Sequence, residues 1–304
     1  MFDVLVAGEI NPDLVLSGDV FPEFGQIEKL VDSATLTIGS SSAIFACGAA
    51  RLGLKVAFIG VCGDDVFGRF MLDEMQMRDV DVGSVVVRKD GQTGLSVILN
   101  QQADRAILTH LGLIPALRAS DIPEELLRRA RHLHVASYFL QTNLQPDLPY
   151  LFRRAHSLRL TTSLDTNYDP SKQWVGFDEL LSVTNVLLPN EKEAVSLSGE
   201  TNVDLAASRL GSRVEALAIK LGADGALGVR AGARVRIAPI PVKVVDTVGA
   251  GDSFDAGFLY GYLNQWSLEK SLRLACICGA TSTQKAGGTA GQPTLAEAMK
   301  YVSG

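Results

Sequence analysis

The sequence predicts an α/β protein with a doubly wound, mainly parallel sheet flanked by helices and a small second β-sheet. Short β-branched runs alternate with longer helical patterns along most of the chain, which is typical of parallel strands joined by crossover helices. Two stretches, 11–38 and 89–110, break this rhythm with short alternating runs and no long helix. No repeat or low-complexity linker divides the chain, so we predict a single domain over residues 1–304.

Six apolar runs predict the strands of the main sheet: DVLVAGE (3–9), KVAFIGV (55–61), HLHVAS (132–137), LTTSLDT (160–166), NVLLPN (185–190) and ALAIKLG (216–222). Nearly continuous apolar character is expected where helices cover both faces of a parallel sheet. Segments such as 40–53 and 124–132 show the helical pattern between the strands. In the third run His132 and His134 alternate with apolar residues, which predicts a polar strand face rather than a metal site.

The stretches 11–38 and 89–110 predict a small antiparallel sheet that projects from the main body. Their alternation of apolar and polar residues indicates strands with one solvated face. An accessory sheet inserted into a larger domain is a candidate lid, because it can close over a bound ligand and exclude water.

Composition excludes several classes of protein. Hydrophobic residues make up 47% and charged residues 20% of the 304 positions, and the net charge is −6. These values predict a globular protein with no basic excess to bind nucleic acid. The start MFDVLVAGEI has no basic segment, and no apolar run approaches membrane length, so we expect a cytoplasmic protein without a membrane partner. The four cysteines are predicted to be buried thiols in a reducing compartment.

The stretch DTVGAGDSFDAGF, residues 246–258, places two glycines and an aspartate where a helix begins. Bare N–H groups at such a helix start bind anions. If they hold a transferring phosphoryl group, Asp252 can accept the proton of the attacking hydroxyl. A capped helix after a glycine turn is the alternative. The chain contains neither a G-x-x-x-x-G-K-[ST] loop nor a G-x-G-x-x-G after the first strand, so a P-loop ATPase and an ordinary dehydrogenase do not fit.

This stretch resembles the C-terminal signature of the ribokinase-like (PfkB-type) sugar kinase family, D-T-x-G-A-G-D. Four further segments resemble family motifs and occur in the family's order: INPD (10–13), GSSSAIFACGAARLGLKVAFIGVCGDDVFG (39–68), NEKE (190–193) and KLGADG (220–225). Together they cover nearly the whole chain. The resemblance implies a ribokinase-like fold with a β-sheet lid, and ATP-dependent phosphorylation of a small acceptor.

The resemblance also implies roles on the donor side. Asp252 would be the general base, ionised at neutral pH if its pKa were the ordinary value near 3.9. The backbone of Gly249, Ala250 and Gly251 would form the anion hole. The residues implied to lie along ATP are Asn190, Lys220, Gly222, Gly225 and Gly288. Glu193 would act on Mg²⁺ through water, although NEKE is also a pattern that caps a helix. Asp246, with the segment 286–294, leaves open a monovalent cation such as K⁺.

On the acceptor side, the positions implied to bind sugar hydroxyls are Asn11, Asp13, Gly39 and Ser40. The segment DTNYDP, 165–170, resembles a D-x-N motif near the phosphate donor, with Asp169 where several sugar kinases carry Arg. Ile44 also departs from the family pattern, because it stands where an Asn would hydrogen-bond a sugar hydroxyl. An isoleucine favours an apolar ligand edge, so this position puts the acceptor in doubt. A residue of the core is the other interpretation of Ile44.

These observations lead to one preferred function and two alternatives. We expect transfer of the γ-phosphoryl group of ATP to a hydroxymethyl group of a small sugar or sugar-like acceptor, with Mg²⁺. A nucleoside kinase of the same fold is the first alternative. A sugar- or nucleotide-binding sensor without catalysis is the second, and the presence of Asp252 beside intact glycines argues against it. Family members are often dimers through the lid, so we expect a homodimer.

Overall fold

The computed structural model describes residues 1–101, 104–174 and 176–302. Residues 102 and 103 of the predicted lid, and residues 175, 303 and 304 of the predicted domain, lie outside the described part. The strands are β1 Val4–Ala7, β2 Pro12–Ser17, β3 Ser33–Ile38, β4 Val56–Ile59, β5 Val61–Gly63, β6 Val80–Asp81, β7 Val86–Arg88, β8 Leu95–Gln101, β9 Asp104–His110, β10 His132–Val135, β11 Thr161–Leu164, β12 Val186–Leu187, β13 Ala216–Lys220, β14 Ala226–Arg230 and β15 Ala233–Ile237. The helices are α1 Ser41–Arg51, α2 Val66–Gln76, α3 Glu124–Leu127, α4 Leu148–Ser157, α5 Phe177–Ser182, α6 Glu191–Ser198, α7 Val203–Gly211, α8 Ala250–Leu263, α9 Leu268–Ser282 and α10 Leu295–Val302.

The main sheet has the strand order β15-β14-β13-β12-β11-β10-β1-β4-β6. The neighbouring pairs from β13 to β6 are parallel, while the pairs β13–β14 and β14–β15 are antiparallel, so the predicted mainly parallel, doubly wound sheet is confirmed. Val4 and Val6 pack into one hydrophobic cluster while Leu5 and Ala7 pack into the other. This alternation places one core on each face of the sheet.

Strand order reverses between β1 and β10. The chain leaves β1 for β4 on one side and returns through β10 on the other. In open α/β sheets, ligands bind at such a switch point, outside the carboxyl ends of the strands. The fold therefore directs attention to the residues that follow β1, β10 and their neighbours.

The small sheet has the order β3-β2-β8-β9 and is built from the two stretches predicted to form it. Its outer pairs are antiparallel, but β2 and β8 are parallel, so the expectation of an antiparallel sheet is wrong at its centre. Asp13 lies opposite Ser96 in this central pair, and both residues are buried. Both strands thus begin at the main body and run outward, which requires a parallel pair.

The polar face predicted for β10 is covered by α1 instead of water. His132 and His134 are both fully buried. The His134 ring stacks on Phe45 of α1 with 3.8 Å between ring centroids, and its Nδ1 lies 2.7 Å from Ser163 Oγ. Burial lowers the pKa of His134 to about 3, so the ring is neutral. The four cysteines are buried free thiols, as predicted.

The described helices include none that combines the length and the hydropathy needed to cross a bilayer.

Candidate active site

A cavity of about 810 Å³ opens at the carboxyl edge of the main sheet. Glu9, Ser137, Asp165, Asn190 and Gly222 line it, and they follow β1, β10, β11, β12 and β13 in turn. Each of five neighbouring strands is thus followed by at least one wall residue, because parallel strands end at the same edge.

The small sheet covers the open side of this cavity. Strands β8 and β9 contribute five residues to the cavity wall: Ser96, Ile98, Arg105, Ile107 and Thr109. Asp13 of β2 faces the same space. The sheet predicted as a lid therefore lies over the ligand space, and its movement stays a prediction.

Helix α8 begins at the glycine-rich turn. Gly249 is its N-cap and has a φ of 72°, the left-handed region that favours glycine. A Cβ at Gly249 would lie 2.7 Å from the Gly288 Cα, so the close approach of these two backbones also requires glycine. Gly251 differs, because a Cβ there would meet only Lys220, 3.6 Å from its Cδ and 3.7 Å from its Nζ. Without a side chain at Gly251, the backbone at this position faces the Lys220 ammonium directly.

Asp252 lies in the first turn of α8, lines the cavity and is only 8% exposed. Burial raises its pKa to about 8, and the nearby Asp165 carboxylate adds to the increase while Lys220 opposes it. The expectation that Asp252 is ionised at neutral pH is therefore wrong for the unliganded protein. An aspartate in water has no such penalty, whereas Asp252 is buried beside a second carboxyl group.

Lys220 is held by two buried carboxyl groups. Its Nζ lies 2.8 Å from Asp165 Oδ2 and 3.1 Å from Asp255 Oδ2. Burial lowers the pKa of Lys220, but the neighbouring acidic groups, Asp165 first among them, more than compensate and the net shift is upward. Burial raises the pKa of Asp165, but the Lys220 ammonium more than compensates and the net shift is downward. Lys220 and Asp165 therefore form an ion pair at the cavity wall.

Asn190 and Glu193 form a reciprocal cap at the start of α6. Asn190 Oδ1 accepts from the Glu193 backbone N–H at 2.9 Å, and Glu193 Oε2 accepts from the Asn190 N–H at 2.8 Å. Asn190 Nδ2 also donates to Glu193 Oε1 at 2.5 Å. The helix-capping alternative is thus realised, while both residues also line the cavity. Burial and the Asp165 charge raise the pKa of Glu193 to about 7.

The predicted acceptor residues lie together, three of them on the cavity wall and Gly39 against Asp13. Asp13 is 7% exposed, and burial raises its pKa to about 7 although Arg105 opposes the shift. A Cβ at Gly39 would lie 2.2 Å from Asp13 Oδ1, so Gly39 makes room for this carboxyl. Asn11 lines the wall beside it. Ser40 Oγ donates to the Glu9 carbonyl at 2.7 Å and accepts from the Ala43 N–H at 3.0 Å, so this hydroxyl caps α1.

Ile44 belongs to the cavity wall and to the core at once. It is 3% exposed, lines the cavity and is part of the cluster on that face of the sheet. A Cβ at Gly288 would lie 2.5 Å from Ile44 Cδ1, so the side chain fills the gap beneath Gly249 and Gly288. Asp246 ties the same two segments together, accepting from the N–H groups of Val248 at 3.0 Å and Gly287 at 2.9 Å.

Five predicted site residues do not line the cavity: Gly39, Gly225, Asp246, Ala250 and Gly288. Among them, Gly225 is explained by the packing of its own turn. Its φ is +86°, and a Cβ there would lie 2.0 Å from the Ile237 carbonyl oxygen. This close approach explains the glycine by the packing of the turn between β13 and β14. Gly222, three residues earlier, does line the cavity.

Sequence reasoning missed a buried polar network beneath Asp252. Glu9 Oε2 accepts from Ser42 Oγ at 2.5 Å, and its Oε1 accepts from Ser137 Oγ at 2.9 Å. Asn167 donates to Ser41 Oγ at 2.9 Å, and Ser41 in turn hydrogen-bonds Asp252. Glu9 directly after an apolar strand was the available signal, because an acid at that edge of a sheet needs partners.

Comparison with known proteins agrees with this geometry. The sequence model of the pfkB family carbohydrate kinases matches residues 1–295. The chain belongs to this family. A family relative, the ATP-dependent ribose-1-phosphate kinase of Halopiger xanaduensis, is 31% identical over 292 residues, which is 94% of each chain. As a pfkB-family carbohydrate kinase, the protein is an ATP-dependent phosphotransferase that acts on an alcohol group.

Solved structures confirm the ribokinase-like fold. A protein named ribokinase II from Escherichia coli, in complex with ATP and Mg²⁺, superposes with a TM-score of 0.89 at 22% identity and covers 100% of this chain and 99% of its own. Adenosine kinase from Sinorhizobium meliloti superposes with a TM-score of 0.87 at 25% identity over 98% of both chains.

Proposed function

We propose that the protein transfers the γ-phosphoryl group of ATP to a hydroxymethyl group of a small sugar or sugar-like acceptor. One observation carries the proposal: Asp252 faces the cavity at the first turn of α8, beside the backbone N–H groups of the glycine turn. A general base and an anion site next to each other are the two parts that phosphoryl transfer to a hydroxyl requires.

The acceptor would be oriented by the buried polar residues Asn11 and Asp13 of the cavity wall. Asn11 and Asp13 offer an amide and a carboxyl to its hydroxyls, and Gly39 leaves the space that Asp13 occupies. Asp252 would take the proton of the reacting hydroxyl as its oxygen bonds to phosphorus and the bond to the ADP oxygen breaks. The N–H groups at 249–251 would stabilise the charge that develops on the phosphoryl oxygens.

Glu193 and Asn190 fit a role in binding Mg²⁺ through water. Their oxygens are the hard donors that this ion prefers, and both oxygens of Glu193 already accept from Asn190, so water between them and the ion suits the site better than direct contact. When bound with ATP, Mg²⁺ neutralises charge on the phosphates. K⁺ at Asp246 is the weaker part of the proposal, since each oxygen of that carboxylate already accepts an N–H.

Ile44 supports an acceptor that lacks the usual hydroxyl at this contact or turns it elsewhere. An apolar side chain on the cavity wall leaves an opposing hydroxyl unpaired, at a cost of about 1–3 kcal/mol. Deoxy or modified sugars and nucleosides meet this condition, and ribose and fructose would be poor substrates. Ile44→Asn should shift the ranking toward polyhydroxylated sugars by about 10–100-fold in relative kcat/KM.

Ile44→Val is the matched control for that substitution. Valine lacks the Cδ1 atom that lies against Gly288, and it adds no polar group. The variant should therefore have a lower melting temperature and an unchanged substrate ranking. If Ile44→Asn also lowers only the melting temperature, Ile44 acts through the core and the argument about the acceptor fails.

A nucleoside kinase is the second candidate, because aromatic side chains lie on the cavity wall. Phe139 and Tyr168 line it, and Tyr168 is 58% exposed, so a planar base could stack there. A solved adenosine kinase is among the structures with this fold.

ADP release against a panel tests the proposal: ribose, fructose, ribose 1-phosphate, 2-dehydro-3-deoxygluconate, 2-deoxyribose and adenosine, each with Mg·ATP. Release that depends on one of the neutral or acidic sugars supports the proposed function, and release that depends on adenosine alone favours the second candidate. Binding of ligands with no ADP release in any case would favour the sensor and overturn the proposal. The homodimer and the cytoplasmic location stay predictions.

A further inference from the structure

Asp255 is a deeply buried acid that the reaction described above leaves without a role. It lies on α8 three residues after Asp252 and so on the same side of the helix. It is 1% exposed and is absent from the cavity wall. Its Oδ2 contacts Lys220 Nζ at 3.1 Å, while its Oδ1 has no hydrogen-bond partner among the described residues.

Asp255 belongs to a group of three buried carboxyls around one ammonium. Carboxylate oxygens of Asp165, Asp252 and Asp255 lie within 4.8 Å of one another. Lys220 Nζ contacts two of these groups, so the cation of this cluster is the lysine itself. Three ionised carboxylates with one ammonium would leave two uncompensated charges among buried groups, which is strongly unfavourable. The cluster is electrically balanced when two of the three carboxyls keep their protons.

The surroundings identify Asp165 as the ionised carboxyl and Asp255 as the one that holds its proton most firmly. Asp165 has the closest contact with Lys220, at 2.8 Å, and accepts from the Asn167 N–H at 3.2 Å. Asp252 lies at a helix N-terminus, which favours a negative charge, and faces the cavity. Asp255 has neither advantage, and burial raises its pKa well above the usual range, with the Asp165 charge adding to the shift.

The other titratable groups that face this cluster do not supply a second cation. Glu193 of α6 is acidic and adds negative charge near Lys220. His134 of β10 interacts with Asp165 and Lys220, but burial lowers its pKa to about 3 and keeps it neutral. Of Glu193, His134 and Lys220, only Lys220 therefore supplies positive charge to the three carboxyls.

The position of Lys220 gives this neutral acid a purpose. A Cβ at Gly251 would lie 3.7 Å from Lys220 Nζ, so the ammonium stands next to Gly251 in the glycine turn. We propose that Asp255 is a positioning residue: as a neutral acid it anchors the Lys220 ammonium beside Gly251, where the charge faces the phosphoryl group in transfer. This inference rests on the proposed function for its catalytic part.

A pair of variants tests the positioning role. Asp255→Asn keeps the shape and the neutrality of the protonated acid, so its kcat should stay within about 3-fold of the wild type. Asp255→Ala removes the anchor, and its kcat should fall by about 10-fold or more with a smaller change in the KM for ATP, because Lys220 acts on the transition state. Equal losses in both variants, or no loss in either, would overturn the inference.

Melting temperature against pH tests the neutral state without any activity. A carboxyl that is protonated when folded but ionised when unfolded takes up a proton on folding, so stability falls as pH rises above the ordinary pKa near 3.9. Asp255→Asn removes this dependence. The difference in melting temperature between Asp255→Asn and the wild type should therefore increase in favour of the variant from pH 5 to pH 8.

Asp165→Asn is the contrasting variant, because it removes a carboxylate that is ionised in the folded protein. It should lower kcat, and it should lower the melting temperature already at pH 5, where Asp255→Asn differs least from the wild type. A constant difference between Asp255→Asn and the wild type over this range would show that Asp255 is ionised, and the inference would be wrong. This readout holds even if the substrate panel gives no ADP release, so a failure of the proposed function is recognised separately.

Discussion

The raised pKa of Asp252 makes a quantitative prediction for the pH dependence of catalysis. With a pKa of about 8, about one-tenth of the free enzyme carries the ionised base at pH 7 and about nine-tenths at pH 9. Since the base must be ionised to accept a proton, kcat/KM should rise about 10-fold over this range. An aspartate with an ordinary pKa would give a flat profile instead.

The assay is ADP release at a low, fixed concentration of Mg·ATP, with the best acceptor of the panel varied, because kcat/KM reports the enzyme before that acceptor binds. Below pH 7 the profile should steepen, since Asp13 and Glu193 each titrate at about 7. Asp252→Asn should lower turnover by about 10²–10⁴-fold and remove the rise between pH 7 and pH 9.

Asp73→Asn serves as the control for Asp252→Asn, because Asp73 is an exposed acid on α2, remote from the cavity wall. It should keep the wild-type profile. The reasoning is refuted if wild-type kcat/KM is flat between pH 7 and pH 9, which would mean that the base is not desolvated. Near-wild-type turnover by Asp252→Asn with saturating acceptor would mean that Asp252 is not the base.

Three further predictions follow from the glycine turn, the small sheet and Asp246. Gly249→Ala should lower the melting temperature, because it places a side chain at a left-handed position and against the Gly288 backbone. Gly251→Ala should keep the melting temperature and lower kcat. The reverse pattern would contradict the anion hole. The best acceptor should protect 11–38 and 89–110 from proteolysis, and equal cleavage with and without it would argue against a moving lid. Asp246→Asn should abolish any stimulation by KCl over NaCl, and stimulation that persists would exclude Asp246 as the cation site.

The sequence allowed the architecture to be predicted because its signals are local. Apolar runs of strand length identified the central strands of the main sheet, and the break in rhythm at 11–38 and 89–110 identified the small sheet. The pairing of β2 with β8 could not be predicted in the same way. Direction depends on where each insertion leaves the main body, and that is a property of the assembled fold rather than of either segment.

Individual site residues were predictable where a motif fixes the backbone. Gly249 and Gly39 need the absence of a side chain for reasons that the structure makes explicit, namely the left-handed turn and the space for Asp13. Gly225 shows the limit of such reasoning, because its glycine serves the packing against Ile237. A motif identifies that a glycine is needed, but the neighbouring chain decides whether a ligand or another backbone needs the space.

The protonation states were beyond the sequence, because burial and charge balance arise from segments far apart in the chain. Asp255 stands one helical turn from Asp252, so their proximity was readable. Lys220, which contacts Asp255 and Asp165, is 35 residues from the first and 55 from the second. No local sequence pattern indicates that these groups share one buried region. The ordinary pKa of an aspartate was therefore the wrong starting point for Asp252. The desolvation that raises the pKa of Asp252 also makes its carboxylate a stronger base once it is ionised. The energetic cost of burying these acids and their use in catalysis therefore have one physical origin.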